Sequence, residues 1–266
     1  MVIDLKTLYG AEATEQQKRY EELSAYFAEE FGDANALSYF SAPGRTEVGG
    51  NHTDHNNGKV LAAAVNLDVI AAVKKTENGV IRLKSVGFPM DTVDTADLNV
   101  QEAEKERSAS LIRGVCARLK ALGYEVGGFD AVTTSRVLKG SGLSSSAAFE
   151  VLVVTILSHL YNNDAIDPVE AAQISKFAEN VYFGKPCGLM DQTACAVGKV
   201  ITIDFKEVGH PVVREVPFDL AAKGFALCIS DTKGSHADLT DDYAAVRREM
   251  ESVAEFFGKK VLRDVD

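Results

Sequence analysis

Apolar residues recur at three- and four-residue spacings between Thr14 and Phe31, where Tyr20, Leu23, Tyr26, Phe27 and Phe31 alternate with acids and bases. That period predicts an amphipathic helix docked on a surface. The pattern then shortens. Ala36 to Ala42 reads as a strand ended by Pro43-Gly44, and a polar loop is expected from Arg45 to Lys59. Val60 to Lys74 and Val80 to Ser85 read as strands joined through Glu77-Asn78-Gly79 in a hairpin. Ala109 to Leu122 returns to helical spacing and stops at Gly123, and Phe129 to Val137 is again extended. The apolar run Phe149 to Tyr161 predicts a buried helix. Asp167 as N-cap, Pro168 at the first helical position and Glu170 predict another, running towards Tyr182 and ending at Gly184. Beyond Gln192 the chain reads as β-rich, with strands at 200–205, 212–216 and 225–231, before a last helix from Thr240 to Phe257 stopped by Gly258.

Strand and helix patterns in this order predict an α+β protein, and 266 residues allow one large or two smaller domains. The net charge of -11 offers no basic field for a nucleic-acid backbone or an anionic lipid surface, so neither is an expected partner. A bound nucleotide then needs local compensation from backbone N–H groups, a few cations or a metal ion. Cys116, Cys187, Cys195 and Cys228 lack zinc spacing and read as buried reduced thiols. The N-terminal residues carry no apolar leader segment, and Val60 to Val73 is too short and too polar to span a bilayer, so a cytoplasmic protein is expected.

Three segments carry candidate chemistry. Gly140-Ser141-Gly142-Leu143-Ser144-Ser145-Ser146-Ala147 lies between a strand and a helix; its glycines permit a tight turn, and the helix N-terminus leaves N–H groups for anions. Phosphate binding and simple serine capping both fit it, while the spacing matches neither the Walker A loop nor the Rossmann fingerprint. The second segment, Pro43 to Gly58, is dense in hydrogen-bonding side chains: Asp54 can accept from adjacent sugar hydroxyls, and Arg45 offers a planar cationic fork for a phosphoryl group. His52, Asp54 and His55 do not have zincin spacing, and an Asx-rich surface loop is the plain alternative. In the third, Pro186 to Gln192, a lone acid, Asp191, reads by itself as a turn or cap residue. Asp91, Asp94 and Asp97 lack EF-hand spacing and read as a solvated loop.

Taken in this order, the three segments resemble the signature loop, phosphate loop and catalytic-aspartate segment of galactokinases, members of the GHMP small-molecule kinase superfamily. The resemblance runs from about Tyr39 to Asp266. It implies a first domain (1–216) like the second domain of ribosomal protein S5, which would bind sugar and ATP. It also implies the start of an incomplete ferredoxin-like domain over 217–266. Arg45 and Asp191 are implied as catalytic residues, Asn51, His52, Asp54, Gly188 and Tyr243 as sugar contacts, and Gly140 to Ala147 as the ATP phosphate site. Ser145 and Glu179 are implied as ligands of Mg²⁺. The activity implied is transfer of the ATP γ-phosphate to the C1 hydroxyl of galactose.

Two departures from the family pattern change that picture. Asn51 stands where galactokinases usually have Glu, which opens galacturonate, arabinose or N-acetylgalactosamine as alternative substrates. The chain also stops before the family's third glycine-rich motif, so a truncated second domain with an open sheet edge is expected, and a catalytically silent sugar and ATP sensor is the rival from outside the enzymes.

Overall fold

The computed structural model describes residues 4–50, 52–138, 140–230 and 240–265, with the side chains of 240–244 left aside. A short helix α1 (Leu5–Tyr9) leads into α2 (Ala13–Phe31). Strands β1 (Ser38–Gly49), β2 (Lys59–Lys75), β3 (Val80–Ser85) and β4 (Met90–Asp94) follow. Helix α3 (Ser108–Ala121) precedes β5 (Phe129–Ser135), and α4 (Ser145–Tyr161) precedes α5 (Pro168–Phe177), which continues into a π-helical turn at Ala178–Phe183. Helix α6 (Met190–Val197), β6 (Val200–Asp204), β7 (Val212–Glu215) and α7 (Thr240–Phe256) complete the order.

Seven strands form one sheet in the order β4-β3-β5-β2-β6-β7, with β1 on the other side of β2. The long β2 organises it: residues 69–75 pair with β5, residues 59–63 pair with β6, and β1 runs along its opposite edge. The expected β2–β3 hairpin is not formed. β5 lies between the two strands, antiparallel to β2 and parallel to β3. A parallel pair needs a crossover, and α3 supplies it between β3 and β5.

Both faces of the sheet are covered. Tyr20, Leu23 and Phe27 of α2 pack on Ile70, Ala72 and Val132, whereas Val69, Ala71 and Val73 point into the larger core under α3, α4 and α5. That two-sided burial explains why Val69 to Val73 is a continuous apolar run rather than an alternating one. Leu23 and Phe27 are fully buried, and truncating Phe27 to Ala would cost about 3–5 kcal/mol.

Other expectations need correction. β1 continues through Pro43-Gly44 to Gly49, because register shifts at Pro43/Arg45 and Glu47/Gly49 absorb the proline's missing donor. The expected polar loop therefore begins as strand. Asp91 and Asp94 lie on β4, where Ser108 Oγ donates to Asp91, so they are not simply a solvated loop. Residues 225–230 form no strand; Phe225 and Leu227 are exposed, and among the described residues no strand pairs with them. Cys116 and Cys195 are buried, but Cys228 is exposed. The Asp167 cap forms as read, accepting from the N–H groups of Val169 and Glu170. Glu170 does not close a capping box and instead accepts from Tyr124 Oη.

Candidate active site

The register shift in β1 aims Arg45 inward. Its backbone N–H donates to Leu143 O at 3.1 Å, which ties the strand to the glycine-serine turn. The buried guanidinium then forks onto Asp191 in the first turn of α6: Nε donates to Oδ1 at 2.8 Å and Nη2 to Oδ2 at 2.6 Å. Its third nitrogen, Nη1, donates to Gly142 O at 2.7 Å. Ser144 Oγ donates to Asp191 Oδ2. Each of the three segments singled out in the sequence thus contributes to one carboxylate. Burial raises the Asp191 carboxyl, but the Arg45 charge and the hydrogen bonds from Arg45 and Ser144 outweigh it and hold the group below the usual aspartate range. Burial likewise opposes the Arg45 charge, and Asp191 more than offsets it.

Helix α4 starts without a side-chain cap, since the Ser144 hydroxyl is engaged by Asp191. Ser144 itself is left-handed (φ 59°, ψ 58°), a conformation that costs a non-glycine residue about 1–2 kcal/mol. Gly140 and Gly142 have φ of 78° and 76°, with nothing within 4 Å of where a Cβ would stand. A turn open on one side, followed by the uncapped N-terminus of a 17-residue helix, fits phosphate oxygens. Leu143 and Ala147, by contrast, are buried and anchor the turn to the core.

Glu179 lies on the π-helical turn, its side chain 3% exposed. Of the expected Ser145–Glu179 pair, the hydroxyl that the structure brings to Glu179 is that of Ser146, which donates to Oε1 at 2.9 Å. One α-helical position decides which serine faces the acid. Lys185 Nζ stands 3.3 Å from the same oxygen, and Gln192 Nε2 donates to Oε2 at 2.7 Å. Among the described residues no group of three or more His, Cys, Asp or Glu side chains is poised to hold a metal ion. One serine and one carboxylate fit Mg²⁺ when nucleotide phosphates and waters supply its remaining ligands.

Asp54 occupies a 3₁₀ turn at Thr53–Asn56 and is buried. Its Oδ2 accepts from the N–H groups of Leu189 at 3.0 Å and Met190 at 3.2 Å, while the buried Oδ1 has no partner. Gly188 is required here, because a Cβ would lie 1.7 Å from Asp54 Oδ2. A cavity of about 100 Å³ opens beside them, lined in part by Asp54, His55, Gly188, Leu189, Phe205 and Arg247. Burial lowers the His55 pKa. His52 is left-handed (φ 56°); its N–H donates to Glu47 Oε1 at 2.9 Å, and its half-exposed ring is 3.6 Å from Glu47 Oε2. Asn51 lies outside the described residues, as does the side chain of Tyr243, whose backbone is in α7.

Sequence reasoning passed over Lys185, Gln192 and Glu150. Glu150 is fully buried in α4, and burial and the nearby Glu179 push its carboxyl well above the ordinary range. An acid inside the apolar run 149–161, one helical turn after Ser146, was the available signal.

Comparison with known proteins is consistent with this geometry. Residues 110–199 match the N-terminal domain of GHMP kinases, and residues 25–75 match the galactokinase galactose-binding signature. The first match covers α3 through α6 and the second the β1–β2 region, so the segments that build the site are those similar to GHMP kinases. Galactokinase from Streptomyces coelicolor is 35% identical over 90% of this chain and 61% of its own. Galactokinase from Clostridium tetani is 30% identical over 90% of this chain and 60% of its own. The crystal structure of Lactococcus lactis galactokinase complexed with galactose superposes with a TM-score of 0.75 at 27% identity, covering 89% of this chain and 61% of that one. Within the GHMP kinases, these similarities are to galactokinases. The chain spans about three-fifths of the length of these relatives. Among the described residues, no helix is long and apolar enough to cross a membrane.

Proposed function

We propose that the protein transfers the γ-phosphoryl group of ATP to the C1 hydroxyl of galactose, giving galactose 1-phosphate and ADP. The observation that carries this reading is the convergence of β1, the α4 turn and α6 on Asp191, with Arg45 forked onto it. Phosphoryl transfer demands positioning and charge stabilisation more than covalent chemistry. The oxygen on C1 forms the new bond to Pγ, the bond from Pγ to the bridging oxygen breaks, and the C1 hydroxyl proton passes to Asp191. Asp191 is held ionised by Arg45, so it can accept that proton. A carboxylate with a lowered pKa does not strip a sugar hydroxyl in advance, so the proton moves as the O–P bond forms. Arg45, held beside Asp191, would offset the negative charge that develops on the acceptor oxygen and the phosphoryl group.

Residues Gly140 to Ala147 would hold the ATP phosphates, and Ser146 with Glu179 would hold Mg²⁺. The cation supplies neutralisation of the phosphate oxygens. Asp54 Oδ1, buried without a partner, suits a sugar hydroxyl, and Asn51, His52, Gly188 and Tyr243 complete the proposed sugar contacts. We also propose a domain division near Pro217, with residues 1–216 carrying the proposed site apart from Tyr243. The intact Arg45–Asp191 pair favours a kinase over a silent sugar and ATP sensor.

The deciding measurement is ADP release with Mg-ATP in the presence of galactose, glucose, galacturonate, arabinose or N-acetylgalactosamine. Galactose is expected to be favoured by about tenfold or more in kcat/KM, the discrimination available to a site built on hydrogen bonds to hydroxyls. Preference for another of these sugars would overturn the substrate, and binding of both ligands without turnover would overturn the reaction.

A further inference from the structure

Asp191 and Glu179, proposed above for the proton and the metal ion, belong to different elements, and a single buried amide links them. Gln192 follows Asp191 in the first turn of α6 and is fully buried. Its Nε2 donates to Glu179 Oε2 at 2.7 Å and stands 3.4 Å from Glu150 Oε2 and 3.4 Å from Cys187 Sγ. Glu150 is one turn along α4 from Ser146, which donates to the other oxygen of Glu179. Glu179 is thus held from one side by Ser146 and from the other by Gln192, and α4 reappears behind Gln192 through Glu150. Glu150 Oε1 and Gln192 Oε1 are buried without partners.

We propose that Gln192, with Glu150 behind it, is a positioning residue that fixes the Glu179 carboxylate against Ser146 and couples it to the turn of α6 carrying Asp191. This rests on the kinase reading above. An amide offers two N–H donors, enough for one oxygen of each acid. Glu179 sits on a π-helical turn, whose wider spacing lacks the regular i→i+4 bonding that would otherwise stiffen it, so its orientation must come from side chains. Packing alone would not select this arrangement, because apolar side chains of similar volume fill a buried space without the desolvation cost of two acids and an amide. Partners behind a metal ligand typically change metal affinity by 10–100-fold when removed.

The test is Mn²⁺ binding to the protein with a non-hydrolysable ATP analogue, read by electron paramagnetic resonance, with galactose affinity measured in parallel by calorimetry. Gln192→Met is expected to weaken Mn²⁺ by about 10–100-fold while galactose affinity changes by less than about threefold. Glu150→Leu should weaken Mn²⁺ less, and the double variant should be no worse than Gln192→Met alone, because Glu150 acts through the amide. Gln192→Asn keeps the amide but withdraws it by one methylene, so it should reproduce the loss even if the Met variant fails to fold. Unchanged Mn²⁺ affinity in Gln192→Asn or Gln192→Met, or full additivity in the double variant, overturns the inference. Failure of the kinase reading looks different: the unaltered protein would bind metal and analogue without phosphorylating sugar, and the Gln192 effect would persist. Absence of metal–nucleotide binding in the unaltered protein would overturn both.

Discussion

Asp68 and Asp191 are each engaged by an arginine from another element, and they are put to different use. Asp68, in β2, has a side chain 5% exposed; Arg19 Nη1 donates to its Oδ1 at 2.8 Å, and Tyr9 and Ser41 donate to its Oδ2. These partners lie on α1, α2 and β1, so the acid fastens the N-terminal helices to the sheet. Asp191 is 28% exposed along its side chain, its arginine comes from β1, and its third donor is a serine in a left-handed backbone conformation. Nearby lie an uncapped helix N-terminus and a buried carboxylate oxygen without a partner. One carboxylate has its acceptor capacity filled by fold-forming groups. The other is held in place beside polar groups left free for something else. The comparison shows that an Arg–Asp pair says little about function until the state of its surroundings is known.

Removing each acid should separate the two roles. Asp191→Asn is expected to lower kcat by about 10³-fold or more, the range lost with both a proton acceptor and its charge, while galactose affinity changes little. Steady-state kinetics and calorimetry check it; retention of a tenth of the activity would break the contrast. Asp68→Ala should act on stability instead. Leaving the Arg19 charge without its buried counter-ion costs about 3–5 kcal/mol, enough to lower Tm by roughly 10 °C in a chain this size. The folded fraction should keep kcat within about threefold of the unaltered protein, since additivity holds for distant sites. A large kcat defect in Asp68→Ala at low temperature would mean that the N-terminal helices reach the site. Smaller again is Gly188→Ala. The new Cβ would stand 1.7 Å from Asp54 Oδ2, so the turn must shift, and galactose KM is expected to rise about tenfold with a lesser change in kcat.

The sequence made these segments legible to different degrees. The helices of strong period, 14–31, 109–122 and 240–257, appear within a residue or two of their expected ends. The capped start at Asp167-Pro168 appears where its residues place it. What failed was long-range pairing: two adjacent strands with a good turn between them read as a hairpin, and nothing local announces that β5 will insert between them. The segment 225–230 has strand-forming side chains but no partner among the described residues, and a strand exists only as one of a pair. In the site, Arg45, Asp54 and the glycine-serine turn stood out because polar residues clustered between apolar runs, whereas Asp191 by itself read as a turn or cap residue and took its role from the family resemblance. Gln192 and Glu150 did not, because their meaning lies in the 13- and 42-residue separations that folding removes. That Ser146 is the serine that donates to Glu179 needed the helical phase as well.

The smallest effect sharpens the electrostatic half of the comparison. Arg45 and Ser144 hold the Asp191 carboxyl below its ordinary value, so its ionised form is bound more tightly to the fold than to the unfolded chain. The stability this gives is fully present above the unfolded pKa of about 3.9 and is lost as pH falls through the lower folded value. Urea unfolding of the parent and Asp191→Asn should therefore show a constant gap from about pH 8 to 5 that narrows only below about pH 4. Asp91 provides the opposite sign: burial raises its folded pKa, so ionisation favours the unfolded chain as pH rises through about 4. Relative to the parent, Asp91→Asn should gain stability over the rise through that range, while Asp191→Asn loses it. Parallel slopes for the two variants would mean that Arg45 does not set the charge of Asp191, and the distinction between a fold-forming and a poised carboxylate would then rest on exposure alone.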